Sequence, residues 1–273
     1  MSSSAKLVIT ESHAVKRITI NRPERRNAVD VETMDLLAEA FAGAAHDDSR
    51  VVVLTGAGDA FCAGADLAAV NAMEIQNFDV TTSLREKTNP LVLQMRALAK
   101  PVIARVHGVA VGVGFNYALA CDIIIASEQA SFAQLFIKIG LMPDGGGTYF
   151  LPHLVGYHKA FELMAIGDEL SAREALALGI INRVVPLQEL DAEIDKLTAR
   201  LARSPAVALA KIKAGLNYSR HGEQAELAAA LDWEAVNQAD CFHSPDFREG
   251  VTAFAEKRRA MFGKAPDDPA ARR

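Results

Sequence analysis

Residues 101–127 read PVIARVHGVAVGVGFNYALACDIIIAS, and the reading of this stretch decides the fold. PVIARV (101–106) and DIIIAS (122–127) are runs of Val, Ile and Ala without strict alternation, the pattern of strands covered on both faces. Between them, Val113 to Ala120 has room for two helical turns, entered through Gly108, Gly112 and Gly114. A strand, a Gly-rich turn, a helix and a second buried strand in 27 residues predict α/β layering.

The same pattern extends outward. KLVIT, VKRITI and VVVLTG, the last directly after Arg50, are further β-rich runs. Between the last two, Met34, Leu37, Ala38, Phe41 and Ala45 recur at helical period on one face, with Asp30 as the expected N-cap. From Gly145 onward the chain turns mostly helical. A capping box is expected at Ser171 and Glu174, a short strand near Arg183 to Val185, and helices at 189–202, 205–218, 223–239 and 246–262. Pro205 and Pro245 fall near helix starts, where a missing N–H costs least. Residues 66–90, DLAAVNAMEIQNFDVTTSLREKTNP, have weaker periodicity and read as a mobile wall of a pocket.

Composition narrows the functions. A length of 273 residues suits one main domain with an appended helical layer. With 50% apolar residues, 23% charged and a formal charge of −5, neither a basic patch nor a basic amphipathic helix stands out, which argues against nucleic acid and membrane surfaces as partners. The uncharged run Gly108–Cys121 is too short to cross a bilayer. MSSSAKLVIT has the form of neither a secretory nor a transit peptide, so a cytoplasmic address follows by default. Cys62, Cys121 and Cys241 form no CxxC pair and read as small buried hydrophobes. His153 and His158 read as surface or packing residues, and no metal site is expected.

Nucleotide motifs fail on spacing, since Gly56-Ala57-Gly58 is followed by Phe61, and Gly112-Val113-Gly114 by Tyr117, where a dinucleotide fingerprint needs a third Gly. No GxxxxGK[ST], HExxH or GxSxG is present. What remains is a pair of Gly-rich strand-to-helix junctions, TGAGDAFCAGADL (55–67) and HGVAVGVGFNYALACD (107–122). Taken singly, each is a tight turn with glycine at positive φ. Taken together, they can bring two unpaired amides onto one anion, an oxyanion hole built from main chain.

In order along the chain, NRPERRNAVD, AFCAGADL, PVIARVHGVAVGVG, LACDIIIAS, FAQLFIKIGLMPDGGGTYFLPHLVG and FREGVTAFAEKRRAMF resemble the signatures of the enoyl-CoA hydratase/isomerase (crotonase) family, over about residues 20–262. The resemblance implies an α/β spiral of ββα units over 1–190, a helical oligomerisation region over 191–263 that builds a trimer or a dimer of trimers, and a flexible tail over 264–273. It implies a coenzyme A thioester as substrate, with no permanently bound cofactor. Carried over by position, the oxyanion donors are the amides of Ala65 and Val113. The loop of Ala63, Ala65, Asp66, Leu67 and Ala68 holds coenzyme A, and Phe254 and Lys257 approach the coenzyme of a neighbouring subunit.

Where hydratases of the family carry two glutamates, this chain has Asn116 and Phe136. Asp144, in MPDGGG, stands where family isomerases and a dehalogenase carry a functional aspartate. By its residues alone Pro-Asp-Gly is a turn whose Asp caps a helix starting near Gly145. By the resemblance, Asp144 is a base desolvated by Phe136, Leu141 and Met142, with its pKa raised above the usual ~3.9. GLMPDGGGT and FREGVTAF are similar to the ring-1,2-epoxyphenylacetyl-CoA isomerases of phenylacetate breakdown, which favours isomerase over hydratase. The competing readings are a nucleophilic Asp144, a hydratase borrowing a carboxylate such as Asp79 or Glu86, and a non-catalytic acyl-CoA binder.

Overall fold

The strand VVVLTG buries all six of its residues because hydrophobic layers cover both of its faces. Val52 and Leu54 enter the main core, while Val51 and Val53 join a second cluster under the helix Leu190–Ala202, which contributes Leu190, Ile194 and Leu197 at helical spacing. The computed structural model of the protein describes residues 5–66, 78–219 and 224–261. β1 (Leu7–Ser12) and β2 (Val15–Ile20) form an antiparallel hairpin. β2 then pairs in parallel with β3 (Val51–Gly56), and parallel pairing continues through β4 (Val102–Val106), β6 (Ile123–Ser127) and β9 (Arg183–Val185). A smaller sheet holds β5 (Val109–Val111), β7 (Ser131–Ala133) and β8 (Leu170–Ser171). Consecutive strands β4 and β5, then β6 and β7, each give one member to each sheet, so the chain advances as a spiral.

Helix α1 (Val31–Ala44) is capped by Asp30, whose carboxylate accepts the Thr33 amide at 2.9 Å. Its buried stripe is Thr33, Leu37, Ala40, Phe41 and Ala44. The stripe expected from Met34, Ala38 and Ala45 is therefore rotated by about one residue, with Leu37 and Phe41 common to both. Part of the segment expected as a mobile wall is regular helix. α2 (Val80–Ser83) runs through a π turn (Leu84–Thr88) into α3 (Asn89–Ala97), and Pro90 explains the widened turn, because it donates no N–H to the preceding turn and its ring needs room. Residues 67–77 of that segment lie outside the described residues.

The helix expected between β4 and β6 is α4 (Val113–Ala120), fully buried. α5 (Gly147–Val155), α6 (Tyr157–Ile166) and α7 (Ala172–Ala177) follow, the last with the expected capping box of Ser171 and Glu174. The C-terminal helices are α8 (Leu190–Ala202), α9 (Ala206–Ser219), α10 (Gln224–Phe242) and α11 (Pro245–Ala255). α11 stops at Ala255 instead of continuing to 262, since Lys257 takes φ +54 and breaks the helical path. α10 is no outlying layer, because Leu227 and Leu231 belong to the main core. Among the described residues no helix is long and apolar enough to cross a membrane.

Candidate active site

Two glycines bring the front of the site together. Gly64 (φ +92) and Gly112 (φ +56) face each other so closely that a Cβ on either would lie 3.8 Å from the Cα of the other. Neither conformation is open to most L-residues, so glycine is required by backbone angle as well as by space. The first bend is pinned on one side by Val29, whose amide donates to the Gly64 carbonyl at 2.8 Å and whose carbonyl accepts from Asp66 at 2.9 Å. Since Gly64 and Asp66 turn their polar groups to Val29, the N–H of Ala65 between them is turned the other way, as alternation along an extended strand demands. The second bend leads into α4, whose first amide, that of Val113, has no acceptor within its own helix. Among the described residues, neither the Ala65 nor the Val113 amide donates a hydrogen bond to the protein.

The loop bearing Asp144 lies directly behind. A Cβ placed on Gly145 would sit 3.1 Å from Val113 Cγ2, and one on Gly112 would sit 3.9 Å from the ring of Phe136. The Val113 side chain is thus packed under the Asp144 loop, and Phe136 covers the second bend. Asp144 does not cap α5, because the N-cap is Gly146. The capping role expected from residue type passes instead to Glu234 of α10, which accepts from the amides of Gly146 at 2.7 Å and Thr148 at 2.9 Å and from the Thr148 hydroxyl.

The Asp144 carboxyl is left for other use. Its Oδ2 accepts from Gln238 Nε2 at 3.1 Å, and its Oδ1 is buried without a hydrogen-bond partner. Burial pushes its pKa up to about 6, and the Gln238 bond, which favours the charged form, holds it from going higher. Glu234, fully buried, is pushed up to about 7 by burial against the pull of its three donors, with the nearby Asp144 charge adding to the rise.

Asn116, expected from the resemblance at one glutamate position of the hydratases, is a bracket. Its amide donates to the Asp144 carbonyl at 2.6 Å and accepts from Gln134 at 2.7 Å. Asp79 and Glu86, the carboxylates that a hydratase would borrow, are exposed, and Asp79 is occupied in capping α2 through Thr82 at 3.0 Å. Of the positions assigned to coenzyme A, Ala63 donates its amide to the Arg26 carbonyl at 3.0 Å, and Ala65 is exposed beside it. The Asp66 carboxylate is buried against Arg22 at 2.8 Å, which commits that side chain to tying the loop to the NRPERRNAVD segment. Leu67 and Ala68 lie outside the described residues. Phe254 and Lys257 are exposed at the end of α11. No group of three or more His, Cys, Asp or Glu among the described residues is arranged to hold a metal ion.

Glu234 and Gln238 escape a reading by motif, yet they leave a trace. They stand on the buried face of α10 with Leu227, Leu231, Ala235 and Phe242, where an amphipathic helix otherwise places apolar residues. Buried polar residues on such a stripe need partners, and here the partners are the Asp144 loop.

A two-sheet spiral in which two glycine bends face each other places the protein in the crotonase-fold class of α/β proteins. The family described as enoyl-CoA hydratase/isomerase matches residues 10–265. A probable enoyl-CoA hydratase of Rhodobacter capsulatus is 40% identical, covering 93% of this chain and 95% of its own. The 1,2-epoxyphenylacetyl-CoA isomerase of Escherichia coli is 40% identical, covering 91% of this chain and 94% of its own. A crystal structure of an enoyl-CoA hydratase from Mycobacterium avium subsp. paratuberculosis superposes with a TM-score of 0.85 at 40% identity, over 96% of this chain and 100% of that one. The chain belongs to the enoyl-CoA hydratase/isomerase family, and its substrate is an acyl-CoA.

Proposed function

We propose that the protein is an enoyl-CoA isomerase that shifts a double bond with one carboxylate. Asp144 removes a proton from C2 of a 3-enoyl-CoA, and the thioester oxygen takes up the charge between the N–H groups of Ala65 and Val113. The same proton returns to C4, giving the 2-enoyl-CoA with no net change of atoms. The observation that carries this reading is the Asp144 carboxyl itself, buried, with one unpartnered oxygen and a pKa near 6 that suits a base working close to neutrality. Each main-chain donor is worth about 10²–10³ in rate.

Hydration needs a second group to activate water, and the two positions that would supply it are Asn116 and Phe136. Glu234, the other buried carboxylate near Asp144, is taken up by three protein donors. The name of the Escherichia coli relative supports a role in phenylacetate-type breakdown, and fatty-acid breakdown supplies the same substrate class. The loop of Ala63 to Ala68 is the coenzyme A seat in this reading, with Phe254 and Lys257 reaching a neighbouring subunit. Exposed Val207, Ile212, Leu216, Trp233 and Val236 on α9 and α10 favour a homotrimer or a dimer of trimers.

The deciding experiment compares double-bond migration in 3-hexenoyl-CoA with hydration of crotonyl-CoA. Migration dominates, and Asp144→Asn abolishes it. Faster hydration, or an unaffected variant, overturns the proposal. Single turnover in ¹⁸O water leaves Asp144 unlabelled if it is a base and labelled if it is a nucleophile.

A further inference from the structure

We propose that Gln238 is the positioning residue for Asp144, holding Oδ2 so that Oδ1 is the oxygen that exchanges the substrate proton. This rests on the isomerase reading above and names the device that makes one carboxylate sufficient. Gln238 is 1% exposed, and both its amide nitrogen and its amide oxygen bond to the loop. Its Oε1 accepts from the Met142 amide at 3.2 Å. Its Nε2 donates to the Met142 carbonyl at 2.8 Å and to Asp144 Oδ2 at 3.1 Å. Only one orientation of the amide satisfies this set, because reversal would face oxygen to two acceptors and NH₂ to a donor. The amide is therefore fixed from both sides of Met142 and acts as a jig for the carboxyl two residues on.

One helical turn earlier on α10, Glu234 pins Gly146 and Thr148, so a single helix face grips the loop on both sides of Asp144. Asn116 holds the Asp144 carbonyl from α4. With Oδ2, the carbonyl and both flanks committed, the side-chain oxygen of Asp144 left without a partner is Oδ1. A carboxyl free to rotate would present either oxygen and lose time in unproductive poses; one held by a donor presents a single acceptor in a constant direction. The titratable groups that face Asp144 from the packed elements are Glu234 from α10 and Tyr117 from α4, with the Cys241 thiol of α10 against Met142.

The test is the pH profile of kcat for 3-hexenoyl-CoA migration. Gln238 favours the charged form of Asp144, so Gln238→Met moves the acid limb upward by about one pH unit. The same variant lowers kcat about tenfold at its own optimum, with KM changed less than about twofold. A drop in kcat with an unmoved acid limb would reduce Gln238 to a structural prop and overturn the inference, as would an unchanged kcat. If Gln238→Met does not fold, Gln238→Asn, which keeps the amide but withdraws it by one methylene, is read by the same two criteria. Asp144→Asn in the same assay separates the two levels. If that variant stays active, the base assignment fails. If it is inactive while Gln238→Met behaves as wild type, only the positioning role fails.

Discussion

The two bends that carry the Ala65 and Val113 amides need no side-chain chemistry, whereas the loop from Met142 to Thr148 depends on it at every step. The bends are shaped by Gly64 and Gly112 and fastened by main-chain bonds to Val29 and Ala133. The loop is held by Asn116, Glu234 and Gln238, side chains from two different helices. A main-chain donor survives almost any substitution that leaves the backbone in place. A carboxyl with a tuned proton affinity survives very few.

Breaking the loop side has the largest expected effect. Asp144→Asn should lower the migration rate by about 10²–10⁴, measured as kcat. The same change should raise thermal stability in alkaline buffer. The Asp144 pKa in the fold is raised from 3.8 to about 6, so the stability this group contributes is fully present below pH 3.8 and is lost as pH rises through 6. Asparagine carries no charge to bury, and above pH 7 the variant should be more stable by about 1–2 kcal/mol, by denaturant midpoint. An equal gain at pH 3 would contradict the linkage.

On the side of the bends, Ala65→Pro deletes one N–H and should cost about 10²–10³ in kcat, with little change in the folding transition at so exposed a position. Glu234→Ala strands buried donors at Gly146 and Thr148, and unfolding by urea should reveal a loss of about 2–3 kcal/mol. The smallest change should come from Val113→Ala, which keeps the amide and trims only the contact under Gly145. Stability should fall by about 1–2 kcal/mol and kcat by less than about threefold. A larger rate loss there than in Ala65→Pro would invert the comparison.

The contrast also explains what is legible in the amino-acid sequence alone. Strands 51–56, 102–106 and 123–127 were legible because burial on both faces writes continuous Val and Ile, and the bends were legible because positive φ demands glycine. Asp144 was visible as a residue, but two explanations competed for it. The capping reading lost because Glu234, 90 positions downstream, takes that role through space. No local pattern encodes such a pairing; the trace is two polar residues on the apolar face of a helix. The stripe of α1 includes Thr33, which a count of apolar residues passes over, because its amide and hydroxyl are both satisfied by Asp30 and burial is then tolerated.

The helix Gln224–Phe242 turns one flank toward the reactive loop while Trp233 and Val236 stand on its open flank. A polypeptide ended before residue 224 would still encode every strand of both sheets and both glycine bends, yet forfeit the Glu234 and Gln238 clamps and the core side chains Leu227 and Leu231. Shortening the gene at that point would therefore remove two core side chains and both clamps at once, so the late helix ties the register of the acid to the stability of the fold.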